Sequence, residues 1–103
     1  MTTTPMKGMT MTKTTKQHWY VEARMVNNDI LEELDHAVLK HGLVQTPMNP
    51  EMTMHERLVI LVEEVGEVAR AMTYDEFDLE KLEEELIQVA AMAVASVVGL
   101  RNG

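Results

Sequence analysis

The chain has 103 residues, no cysteine and a formal net charge of −8, enough for one small domain and incompatible with a disulfide framework or a thiolate metal site. The charge is uneven: residues 1–16 hold three lysines and no acid, which leaves six basic against seventeen acidic residues beyond them, a net −11. Such a body repels a nucleic-acid backbone, and with no apolar run of bilayer length and no signal-type apolar region the chain reads as soluble and cytoplasmic, with neither nucleic acid nor membrane as partner.

Residues 1–16 (MTTTPMKGMTMTKTTK) are low-complexity, with Pro5 and Gly8 as breakers, and read as a disordered tail. Residues 17–103 read as a single helical domain. From Gln17 the apolar positions fall at helical spacing: Trp19, Met25 and Val26, then Ile30, Leu31, Leu34, Val38 and Leu39. Asn27-Asn28-Asp29 predicts a break into two segments, the second ending near Lys40-His41-Gly42 with cations in its last turn and glycine beyond. Two prolines make residues 44–50 a loop.

The next helix is predicted to start at Thr53, an N-cap with Glu56 three residues on, and to run to about Met72. Thr73 to Asp78 is a polar turn, and Asp78 caps a last helix from Leu79 to about Val98. The second half of that helix is apolar on nearly every side yet too short to span a membrane, so it should pack both in its own bundle and against a second subunit. Ten methionines and 4% aromatics give a pliable core that is marginal alone. The expectation is an all-α bundle of three to four helices, an intertwined homo-oligomer, dimer or tetramer.

Leu61-Val62-Glu63-Glu64-Val65-Gly66-Glu67-Val68 sets three carboxylates into an apolar run. On a helix, Ile60, Glu64, Glu67 and Ala71 fall within roughly 60° of one another, so acids share a stripe with apolar residues. Enclosed carboxylates persist when protonated, hydrogen-bonded, paired with a base or holding a cation. A polar seam satisfied by Lys, Arg and water is the plain alternative. On the last helix Lys81, Glu85, Gln88 and Met92 form one stripe, while Glu83 and Glu84 point elsewhere, to solvent. An antiparallel hairpin brings Glu64 and Glu67 opposite Glu85 and Gln88, and oxygen-only ligation selects Mg²⁺ or Mn²⁺.

Glu63-Glu64-Val65-Gly66-Glu67 followed by Glu85-Leu86-Ile87-Gln88 resembles the EExxE…ExxD signature of the MazG-like, all-α nucleoside triphosphate pyrophosphohydrolases. The likeness covers Met54 to about Leu100 and is to the small single-domain members of phage and integron type. The resemblance implies Mg²⁺-dependent hydrolysis of a (deoxy)nucleoside triphosphate to monophosphate and pyrophosphate. By position, Glu64, Glu67 and Glu85 would be metal ligands with Gln88 beside them, and Glu63 and Glu64 would serve catalysis, Glu63 binding or orienting through a water. Gln88 departs from the pattern: a neutral amide stands where the family has an acid. That leaves two readings, an enzyme with weaker metal binding or a non-catalytic dimerisation or nucleotide-sensing module with a structural cation.

For substrate contacts the sequence offers Lys81 and Arg70, near the acids and equally able to pair with them, and Trp19, whose ring could stack on a base or pack in the core or a dimer interface. Glu33-Leu34-Asp35-His36 spells half of a di-iron motif, but no second copy exists. A lone His there reads as a surface residue.

Overall fold

A computed structural model describes residues 13–73 and 78–103, which form three helices: α1 (Lys13–His41), α2 (Met54–Thr73) and α3 (Leu79–Arg101). A single 3₁₀ turn, Leu43–Gln45, sits between α1 and α2. Among the described residues there is no strand, and no helix is long and apolar enough to cross a membrane. The fold is therefore all-helical, as the periodicity predicts. The expected tail falls on residues 1–12, outside the described residues, and on 13–16, which instead open α1. The interior of the expected turn, 74–77, also lies outside them.

The break expected at Asn27-Asn28-Asp29 does not occur. α1 runs through it without interruption. Mid-helix Asn and Asp cost under about 0.7 kcal/mol each relative to Ala, less than restarting a helix nucleus, and all three side chains stay exposed. Where the chain does turn, the sequence signals are used. α1 ends at His41 with Lys40 and His41 in its last turn, and Gly42 follows at φ 82°, a conformation that favours glycine. Thr53 Oγ1 accepts from the Glu56 amide at 3.1 Å at the head of α2, and Asp78 Oδ1 accepts from the Glu80 amide at 3.0 Å at the head of α3.

α3 packs along both other helices, whereas the backbones of α1 and α2 make no comparable approach among the described residues. Small side chains explain why α3 takes the centre. Ala91 and Ala95 are fully buried and Gly99 continues their i, i+4 row, so neighbours on either side come close. Leu34 of α1 and Met92 of α3 complete the core, with Ile30, Ala37, Met48, Ile60 and Leu61 packed against it. Arg57 lies against Gly99 and Glu64 beside Glu85, so α2 and α3 are antiparallel.

The loop from α1 to α2 is fastened by one buried cation. Arg57 is 4% exposed; its Nε donates to Pro47 O at 3.2 Å and its Nη2 to Asn49 O at 2.7 Å. Gly99 is required here, because a Cβ at that position would collide with Pro47 O and with the Arg57 guanidinium. In contrast, residues 16–29 of α1 are exposed throughout, including Trp19, Tyr20, Val21, Met25 and Val26. The outward face of α3, Val94, Val97, Val98 and Leu100, is also exposed.

Candidate functional site

Glu64 of α2 and Glu85 of α3 come within electrostatic reach of each other, the part of the predicted hairpin pairing that the structure shows. Glu64 is partly buried with its Oε2 fully enclosed and without a hydrogen-bond partner; Glu85 Oε2 is in the same condition. Burial pushes the Glu64 carboxyl above its ordinary range, and the neighbouring charges of Glu85, Glu67, Glu33 and Glu63 push it further the same way. Each effect penalises the ionised form. An enclosed, unmatched carboxylate oxygen is costly, and two of them on facing helices form a donor pair suited to a hard cation such as Mg²⁺ or Mn²⁺.

Glu33 belongs to this group, although the motif on α2 and α3 does not point to it. Leu34 anchors this part of α1 in the core, which sets Glu33 against α3 and within electrostatic reach of Glu64. The signal was its place in Glu33-Leu34-Asp35-His36. The pairing those residues make is local: His36 Nδ1 stands 3.9 Å from Glu33 Oε2.

Two cavities open beside the acids and share Glu33, His36 and Gln88. One, about 550 Å³, lies between α1 and the first half of α3 and is walled by Asp29, Glu32, Glu80, Glu83 and Glu84 besides the shared residues. The other, about 450 Å³, is bounded by all three helices and the α1–α2 loop. Glu63 and Glu64 line one side of it, Lys40 and His41 the other, and Ile60, Pro47 and Met92 give it an apolar floor. Only the second cavity contains an acid with an enclosed, unmatched oxygen.

The other sequence-derived positions fall as follows. Gln88 is partly buried and turned to the α1 side, in both cavities, rather than into the α2–α3 seam alone. Glu67 is exposed, though its charge still reaches Glu64. Lys81, Arg70 and Trp19 line neither cavity. Among the described residues no three carboxylate or imidazole side chains converge into a ready ligand set.

No family model, no curated protein and no solved structure matches the chain.

Proposed function

We propose that the chain is a Mg²⁺-dependent nucleoside triphosphate pyrophosphohydrolase that works as a homo-oligomer. The observation that carries this reading is the pair of enclosed, unmatched oxygens, Glu64 Oε2 and Glu85 Oε2, on facing helices. The likeness of Glu63 to Gln88 to the EExxE…ExxD pattern of the MazG-like enzymes supports it, and so does an adjoining cavity of about 450 Å³, within the ordinary range for a small-molecule site.

Glu64 and Glu85 would hold the cation, with Glu67 swinging in from its exposed position and Gln88 adding a neutral oxygen. When bound, Mg²⁺ would neutralise phosphate oxygens and lower the pKa of a coordinated water. Glu63 lines the second cavity and is exposed, so its carboxylate is free to accept a proton from the attacking water. That water adds at the α-phosphorus, the bond from it to the bridging oxygen breaks, and pyrophosphate leaves with the electron pair. The uncovered apolar faces of α1 and α3 support assembly into at least a dimer.

Pyrophosphate release should be measured across ribo- and deoxynucleoside triphosphates with Mg²⁺ and with Mn²⁺, beside a Glu64→Gln, Glu67→Gln double variant. Turnover in the parent and its loss in the variant are expected; equal background rates in both would end the enzyme reading.

Gln88 favours one other reading, a nucleotide-sensing module in which the same acids hold a structural cation. It predicts that Mg²⁺ with a non-hydrolysable triphosphate raises the melting temperature while hydrolysis stays at background.

A further inference from the structure

The second cavity has two chemically opposite walls. Glu63 and Glu64 stand on the α2 side, and His36, Lys40 and His41 stand on the α1 side. Lys40 follows His36 by four residues, so the two project from one face of α1, and His41 ends the same turn. Among the described residues Lys40 has no ion-pair partner, although the chain beyond residue 16 carries seventeen acids.

Among the described residues no other lysine or arginine lines this cavity. Arg57 is buried with its guanidinium donating to the carbonyls of Pro47 and Asn49. Lys81 and Arg70 stand outside both cavities. A polyphosphate entering a body of net −11 carries more negative charge than one divalent cation cancels. The excess needs fixed positive charge on the side of the cavity away from the carboxylates. Lys40 is the group in that place.

We propose that Lys40, with His36 and His41 as further donors, forms a phosphate-binding wall that receives the β- and γ-phosphates of a nucleoside triphosphate across the cavity from Glu63 and Glu64. The substrate class rests on the hydrolase reading above; the wall itself does not require turnover. It assigns a direction to the bound nucleotide: the end that departs as pyrophosphate lies against the C-terminal turn of α1, and the α-phosphate lies toward the carboxylates. Inorganic pyrophosphate should therefore occupy the wall without any nucleoside.

Titration calorimetry with inorganic pyrophosphate and with tripolyphosphate, in Mg²⁺ buffer, tests this on the full chain. The parent is expected to bind both, and Lys40→Ala to weaken them about tenfold, the size of one charge-assisted hydrogen bond, with Lys40→Arg restoring most of the affinity. Arg101→Ala removes an exposed charge from the last turn of α3 that does not line the cavity, and should leave binding unchanged. Equal affinity in the parent and Lys40→Ala, equal losses in Lys40→Ala and Arg101→Ala, or no binding by the parent would each overturn the wall. Pyrophosphate binding that depends on Lys40 in a protein without turnover would keep the wall and remove the hydrolase reading, so the two fail separately.

Discussion

Arg57 and Glu64 lie two turns apart on α2, and both put charged atoms where water does not reach, yet the fold treats them differently. The guanidinium has its Nε and Nη2 matched by loop carbonyls, and a glycine on α3 makes room for it. The carboxylate has an enclosed oxygen without a hydrogen-bond partner, as does Glu85 on α3, and burial together with four neighbouring acids raises its pKa. The folding problem posed by a buried charge is solved internally at one end of the hairpin and left open in the middle. A charge matched within the chain is architecture; an unmatched one beside a cavity is what the proposed cation site rests on.

The sharpest way to break this comparison is to neutralise the unmatched side. Glu64→Gln with Glu67→Gln should lower pyrophosphate release by about 10²- to 10³-fold, the range seen when a preorganised charge-stabilising group is removed, while circular dichroism shows the helices intact. On the matched side the cost should appear in stability instead. Arg57→Met strands the Pro47 and Asn49 carbonyls and should lower the unfolding free energy by about 3 kcal/mol; Gly99→Ala forces the same contacts apart and should cost about 2 kcal/mol. Urea denaturation measures both. A neutral Arg57 variant with unchanged stability would erase the distinction.

Gln88→Glu sharpens the comparison from the other direction. It adds back one negative charge beside the open site and should tighten Mg²⁺ binding on the order of tenfold, read by calorimetry. An unchanged affinity would place Gln88 outside the ligand set.

The smallest effect concerns pH. Because the folded state raises the Glu64 pKa above the ordinary 4.5, it holds that proton more tightly than the unfolded chain does. The resulting stability is fully present below the ordinary value and is lost as pH rises through the raised one. In metal-free buffer Glu64→Gln should therefore melt a few degrees higher than the parent near neutral pH and show a flatter pH profile just above 4.5. Added Mg²⁺ should stabilise the parent and not the variant.

Much of this was legible in the residues. Periodicity marked the helices, and Thr53, Asp78 and Gly42 marked their ends, because each is a local device whose chemistry is complete within a few residues. The meeting of Glu64 with Glu85 was also legible, since a short turn between two helices leaves an antiparallel hairpin as the simple solution. What escaped was non-local. Asn27-Asn28-Asp29 has the chemistry of a break, but a helix uses it only where the chain must change direction. Glu33 joined the acids through the docking of Leu34, a tertiary contact that the Glu33-Leu34-Asp35-His36 pattern marks but does not place. Nothing local singles out Arg57, four residues past a cap, because the groups that enclose it, the Pro47 and Asn49 carbonyls and Gly99, come from elsewhere in the chain.

The central place of α3 has a consequence for how the molecule is made. α1 and α2 come first in chain order, yet their backbones scarcely approach each other, and the alanine row that receives both belongs to the helix that follows them. During synthesis the first two helices would leave the ribosome with their apolar stripes uncovered, awaiting a keystone delivered last. Assembly of the domain is thus bound to completion of α3, and a chain stalled before Ala91 should be recovered with chaperones or in aggregates rather than as a folded fragment.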